Sequence, residues 1–316
     1  MEIFQPPVAV LLVIGGMVML GFGAGWLVDG ASRLALRLGV RPMIVGLTVV
    51  GFGTSMPEFS VSVLAAARGS GGLSLGNAVG SNIMNLLLVL GAAAVVAPIA
   101  IVGSRRALAR DLGFGIVPGI LLIIACWNGR ISRPIALVLI AVFLVFLATC
   151  VGAARGERRE VAVKPQSPLR HLALLTVGIV VLVVGADLMV RGGVSLAHSI
   201  GVSDAVIGLT VVAFGTSLPE LATSVAAALK GEAEISVGNV LGSNVFNLGL
   251  IVGTAFAVRP GPVPPFVIHQ DVPFLILVSL IVGLLFLGKA RTGRREGATL
   301  LALFAAYMIF IAIRGG

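Results

Sequence analysis

Ten apolar stretches, each close to the roughly 20 residues a helix needs to cross a bilayer, alternate along the chain with short polar or Gly/Pro-bearing breaks. The pattern predicts helices over Pro7–Val28, Pro42–Ala67, Leu73–Ala97, Asp111–Trp127, Ile131–Val151, His171–Val190, Asp204–Leu229, Ile235–Val258, Asp271–Leu287 and Gly297–Ile313. One longer polar stretch, residues 152–170 (GAARGERREVAVKPQSPLR), separates five helices from five. The expected architecture is an all-α membrane protein of ten transmembrane helices, with residues 1–151 and 171–316 as two five-helix halves joined by that linker.

The halves share a sentence. Gly46 to Gly91 reads GLTVVGFGTSMPEFSVSVLAAARGSGGLSLGNAVGSNIMNLLLVLG and Gly208 to Gly253 reads GLTVVAFGTSLPELATSVAAALKGEAEISVGNVLGSNVFNLGLIVG, identical at 26 of 46 positions with a constant offset of 162. The copies fall on predicted helices two and three and on helices seven and eight. Helices two and seven are separated by an odd number of crossings, so the copies run in opposite directions, as in inverted-topology repeats whose interface forms a site near the bilayer midplane.

Composition agrees: 58% hydrophobic and 11% charged residues, mean hydropathy +1.12, far from the roughly 25% charged make-up of soluble domains. The net charge of +9 does not point to nucleic acid, because no basic domain is interleaved with aromatics. Alternating connections instead place sixteen of the 22 Lys and Arg residues on one side, the linker included. By the positive-inside rule that side is cytoplasmic and both termini lie outside, in a cell (inner) membrane. The first span lacks a positive n-region and a small-residue cleavage site and is expected to remain. Cys126 and Cys150 sit in separate apolar spans without metal-ligand spacing, as small core residues.

Each copy carries one carboxylate inside apolar sequence, Glu58 and Glu220, after a Gly-Thr-Ser-x-Pro turn. Proline removes an amide donor and releases carbonyls around Gly53 and Gly215 from the helix ladder. Freed backbone oxygens persist at membrane depth only inside protein or along a cavity. Thr54, Ser55, Thr216 and Ser217 stand beside them, and on the next helix Asn77, Ser81, Asn85 and Asn239, Ser243, Asn247 recur every fourth residue on one face. Calcium takes about six to eight oxygens from such carboxylates, amides and carbonyls, and two carboxylates balance one divalent ion. Serine, threonine and asparagine also simply bond helices together in membranes. A buried carboxylate is harder to explain that way, since it costs at least about 2.5–3.5 kcal/mol at the bilayer centre.

GTSMPE and GTSLPE followed by GNAVGSNIMN and GNVLGSNVFN resemble the two alpha repeats of the sodium/calcium exchangers, of the cation/calcium antiporter superfamily. The resemblance implies alternating access, with calcium and sodium as transported ions competing for one central site and no cofactor. It implies that Glu58 and Glu220, with the carbonyls of Thr54 and Thr216, hold calcium. Ser55, Ser81, Ser217, Ser243 and the carbonyls of Gly51 and Ala213 would hold sodium, beside Asn85 and Asn247. Some members have an aspartate where this chain has Asn247, which leaves stoichiometry and potassium or proton dependence open. Asp187 fits an acidic position of the family, but its offset mate is Gly25, so it is left out as an interfacial anchor. Helices one and six, rich in glycine, would slide against the core.

The expected function is therefore secondary cation antiport by a monomer, with lipid and the transported cations as its partners. A proton- or potassium-coupled exchanger, or a cation channel, is the alternative. An enzyme is not indicated: no HExxH or nucleophile–base pairing is present.

Overall fold

The computed structural model describes residues 4–100, 105–156, 168–200, 213–288 and 291–315. Helix α1 spans Pro6–Leu38, with proline in its first turn and Gly39 (φ 65°) closing it, the glycine N–H reaching the carbonyls of Ala35 and Leu36. The helix runs ten residues past the expected end at Val28. Asp29, Arg33 and Arg37 end the apolar run but not the helix, whose hydrogen bonds are internal; at about 1.5 Å per residue it outreaches the hydrocarbon layer.

The second predicted helix is two. α2 (Pro42–Thr54) and α3 (Met56–Ala67) meet at a 50° bend on Ser55, with Pro57 in the first turn of α3. Then follow α4 (Gly71–Val96), α5 (Arg105–Ala125), α6 (Arg133–Gly156) and the long α7 (Pro168–Ser199). The 152–170 linker is thus helical at both ends, and its middle lies outside the described residues. The repeat break returns as α8 (Ala213–Thr216), Ser217 and α9 (Leu218–Leu229); the expected start of that helix, Asp204, is also outside them. The chain closes with α10 (Ala233–Val258), α11 (Val267–Gly288) and α12 (Arg294–Gly315).

Among the described residues seven helices are long and apolar enough to cross a membrane, eight when α2 and α3 count as one span. Outward-facing side chains such as Leu11, Met17, Leu144 and Leu284 are more than half exposed, a surface that calls for lipid. This is an all-helical membrane protein.

Two short pairings that the apolar pattern does not signal join loop ends: β1 (Ile99–Ala100) pairs with β4 (Arg291–Thr292), and β2 (Arg130–Ile131) with β3 (Gly261–Pro262), both antiparallel. Helices α4 and α10 form the centre, with 72% and 83% of their apolar windows buried against 28% for α1. Around them a large apolar cluster gathers side chains such as Ile83, Leu87, Phe143, Phe146, Val252, Phe256 and Leu275; Cys126 and Cys150 lie in it as buried free thiols.

A second cluster joins α1 and α7 to α2 and α9 through Leu27, Val28, Val45, Val50, Leu175, Leu182 and Leu218. Within it α1 and α7 lie antiparallel and very close. A methyl group placed on Gly16 would stand 2.6 Å from the Gly185 carbonyl oxygen, one on Gly23 3.1 Å from that of Gly178, one on Gly30 3.1 Å from that of His171, and one on Gly192 2.6 Å from that of Ala9. Glycine here permits backbone to touch backbone, the close approach that small residues allow in lipid.

Candidate cation site

The two bends bring their carboxylates into the centre. Glu58 sits in the first turn of α3 and Glu220 in that of α9, and both are fully buried. Ser55 and Ser217, the residues at the bends (φ −83°, ψ 9° and φ −90°, ψ 5°), do not turn to the glutamate of their own copy. Ser55 Oγ donates to Glu220 Oε1 at 3.0 Å, and Ser217 Oγ donates to Glu58 Oε1 at 3.1 Å. The neighbouring helix of each copy adds a second, longer bond: Ser81 Oγ to Glu58 Oε1 and Ser243 Oγ to Glu220 Oε1, each 3.4 Å. One oxygen of each carboxylate is therefore held by serines of both copies. The other, Oε2 in each, is buried and has no hydrogen-bond partner.

Asn85 and Asn247 lie one helical turn beyond Ser81 and Ser243, where the helix widens into π-helical turns over Asn85–Val89 and Phe246–Ile251; such local widening is frequent at functional sites. Both side chains are fully buried and both Oδ1 atoms are also without a partner. A buried polar atom left unpaired costs about 1–3 kcal/mol. Four of them, in two pairs related by the 162-residue offset, are hard donors that a cation would relieve, two carboxylate and two amide oxygens; the hydroxyls of Ser74 and Ser236 form a third such pair. Among the described residues no cluster of three His, Cys, Asp or Glu side chains exists.

The remaining predicted residues fall around this centre with different contacts. Thr54 Oγ1 donates to Asn239 Oδ1 at 3.0 Å and to the Val50 carbonyl at 3.2 Å, and Thr216 is buried. The Gly51 carbonyl accepts from the Ser55 N–H at 3.2 Å, with Ser243 Oγ and Thr54 Oγ1 each 3.4 Å away; the single protons of those hydroxyls have alternative acceptors in Glu220 Oε1 and Asn239 Oδ1. Ala213 opens α8. Asn77 and Asn239 look away from the carboxylate oxygens: their Nδ2 atoms donate to Ser62 Oγ and Ser224 Oγ, 3.0 Å in both copies, tying α4 to α3 and α10 to α9. Asp187 is 53% exposed and paired with Arg191. Two residues that the four-residue spacing passes over, Asn82 and Asn244, stand between the copies and bond to Asn247 and Asn85. Their signal was available, since GSN recurs at the same offset in both repeats.

A methyl on Gly238 would stand 2.6 Å from the Met43 carbonyl, and one on Gly242 would overlap the Leu47 carbonyl, so α2 lies directly on α10. Among the described residues nothing stands within 4 Å of a methyl on the offset mates Gly76 and Gly80; the counterparts of Met43 and Leu47, Ala205 and Leu209, lie outside them. At the tight end a polar latch adds to the closure: Lys230 Nζ meets Asp29 Oδ1 at 2.6 Å and the Gly25 carbonyl at 2.7 Å, Ser32 donates to Glu232, and Arg41 pairs with Glu234 at 2.7 Å. The offset mates of Asp29, Lys230 and Glu234 are Arg191, Arg68 and Gly72, which cannot repeat those ion pairs. Helix α7 also lies across both bends, with Ile179 against Gly53 and Val190 against Gly215.

Comparison with known proteins agrees with this geometry. The family described as sodium/calcium exchanger protein matches residues 8–152 and 170–313. The inner membrane protein YrbG of Escherichia coli is 34% identical, with 96% of each chain covered. The sodium/calcium exchanger MaX1 of Methanosarcina acetivorans is 29% identical over 95% of this chain and 97% of its own. The structure of the sodium-calcium exchanger NCX_Mj soaked with sodium and strontium superposes with a TM-score of 0.85 at 33% identity, covering 98% of this chain and 99% of that one. With two repeats that cross-bond their buried glutamates and a match along nearly its whole length, this chain belongs to the sodium/calcium exchanger family.

Proposed function

We propose that the protein is a sodium-driven calcium antiporter of ten spans, in which two inverted halves expose one central site to each face of the membrane in turn. The observation that carries this reading is the set of four buried, unpartnered oxygens on Glu58, Glu220, Asn85 and Asn247. Calcium binds them together with the carbonyls of Thr54 and Thr216; sodium ions replace it with help from Ser55, Ser81, Ser217 and Ser243. Two carboxylates match the charge of one calcium ion, and serine hydroxyls that now donate to the glutamates can rotate to offer lone pairs to a cation. Gly51 and Ala213 act through their carbonyls.

The antiparallel run of α1 and α7 supports inversion of the halves. So do the loop pairings: each joins two connections that charge counting assigns to one face, β1 with β4 on the Arg-rich side and β2 with β3 on the opposite side. In that orientation the latch of Asp29, Lys230, Arg41 and Glu234 closes the cytoplasmic end.

The test is uptake of radioactive calcium into liposomes holding the purified protein, driven by an outward sodium gradient. Gradient-dependent uptake, lost in Glu58→Gln, is expected. Uptake that follows a proton or potassium gradient instead would replace sodium as the coupling ion, and absence of any gradient-dependent flux would end the antiport reading.

A further inference from the structure

Asn82 and Asn244 form, with Asn85 and Asn247, a closed quartet in the core between the two repeats. Asn82, Asn85 and Asn247 are fully buried and Asn244 nearly so. Asn82 Nδ2 donates to the backbone carbonyl of Asn244 at 3.0 Å, and Asn244 Nδ2 donates to the backbone carbonyl of Asn82 at 3.4 Å. A backbone carbonyl can only accept, so each of these side chains is pinned with its nitrogen toward the opposite backbone and its oxygen turned away. That oxygen dictates the next amide. Asn82 Oδ1 receives Asn247 Nδ2 at 2.9 Å, and Asn244 Oδ1 receives Asn85 Nδ2 at 3.1 Å. With their nitrogens so committed, Asn85 and Asn247 have one orientation left, and it leaves each Oδ1 unpartnered on the helix face that carries Ser81 and Ser243.

We propose that Asn82 and Asn244 are positioning residues for transport: two backbone carbonyls, relayed through these amides, fix the polarity of Asn85 and Asn247 so that both offer oxygen and never nitrogen to the cation. The inference rests on the exchange reading of the central site. It also accounts for an amide at position 247. A carboxylate there would set an acceptor 2.9 Å from the Asn82 oxygen, and Asn82 could not turn over without facing its own oxygen to the Asn244 carbonyl. The quartet is built for a neutral side chain at that position, which leaves the site with the two glutamates as its charges.

The test is a double-mutant cycle on the full-length protein, read by radioactive calcium binding in detergent and by the calcium dependence of sodium-driven uptake in liposomes. Asn82→Ala and Asn247→Ala should each weaken calcium binding about tenfold, the range seen when outer partners of metal ligands are removed. The rise should appear in KM, with uptake at saturating calcium changed less than twofold. Because Asn82 acts through Asn247, the double variant should also be about tenfold weaker; independent sites would give about a hundredfold. Asn244→Ala with Asn85→Ala provides a second cycle should either first-cycle variant fail to give monodisperse protein. Additive losses in either cycle, or an Asn82→Ala protein with unchanged calcium affinity beside a weakened Asn247→Ala, would overturn the proposal. Coupled binding losses in a protein that shows no gradient-driven uptake would leave the quartet standing and remove the exchange reading, whereas wild-type protein that binds no calcium would remove both.

Discussion

Replacing Gly80 with alanine should block transport without weakening the fold. Among the described residues the added methyl meets nothing within 4 Å, while its repeat mate on Gly242 would overlap the Leu47 carbonyl; Leu209, the offset counterpart of Leu47, lies outside them. If the halves exchange conformations during transport, the crowding now found at Gly242 passes to Gly80 in the opposite-facing state. Forcing a methyl into such a contact costs about 1–3 kcal/mol, and every 1.4 kcal/mol is about a tenfold change in an equilibrium. The opposite-facing state of Gly80→Ala is thereby depopulated by roughly 5- to 150-fold, and uptake falls by up to that factor while calcium binding at the accessible face persists. Gly242→Ala carries the same cost in the state seen here, so its melting temperature should drop by about 2–6 °C, whereas that of Gly80→Ala should hold or rise. Thermal melting in detergent and uptake in liposomes, measured on both variants, decide the matter. Full transport by Gly80→Ala, or equal loss of stability in the two, would refute the idea that the crowding at Gly242 alternates between the repeats during transport.

Glu58→Gln and Glu220→Gln should each abolish sodium-driven calcium uptake while folding normally, because each amide keeps the shape and a serine contact but halves the charge available to one divalent ion; full uptake by either variant would contradict a shared site. Gly16→Ala should lower the melting temperature by about 2–6 °C, since its methyl would stand 2.6 Å from the Gly185 carbonyl, while Gly15→Ala, with nothing within 4 Å, should not. Lys230→Ala removes a partly exposed ion pair to Asp29 worth about 0–1 kcal/mol, so it should leave the fold intact and raise labelling of cysteine probes placed beneath the latch by up to about fivefold; unchanged labelling would deny the latch a role in closure.

Much of the site could be read from the chain because duplication wrote it twice. Glu58, Glu220 and their serines and asparagines recur in equivalent positions, and buried carboxylates in lipid demand a reason. What the sequence withheld is geometry that crosses between copies. Adjacency suggests that Ser55 serves Glu58, three residues away, yet the bend turns Ser55 toward Glu220, and only the three-dimensional meeting of the repeats reveals it. Asn82 and Asn244 escaped notice because a four-residue spacing selects one helix face, and their work is done across to the opposite repeat, where backbone carbonyls set their orientation. The length of α1 was misjudged for another reason: charge at Asp29 and Arg33 marks where lipid ends, and a helix with a glycine stop at Gly39 need not end there. The 50° bend splitting Pro42–Ala67 was foreshadowed by Pro57, although proline in a first turn is compatible with either a kink or a fresh helix start.

The contact between α1 and α7 has a bearing on descent. Gly16 faces Gly185 and Gly23 faces Gly178; carrying each member of the first pair to the other repeat, 16 up by 162 and 185 down by 162, yields the second. The same shift converts the approach of Gly30 to His171 into that of Gly192 to Ala9. A surface that meets its own copy across a two-fold axis is isologous, the kind that closes a homodimer. Each half of this chain therefore carries, in one helix face, the means of recognising an inverted twin, as expected if the ancestor was a half-length protein inserted in both orientations and the covalent join came later, on a partnership already made.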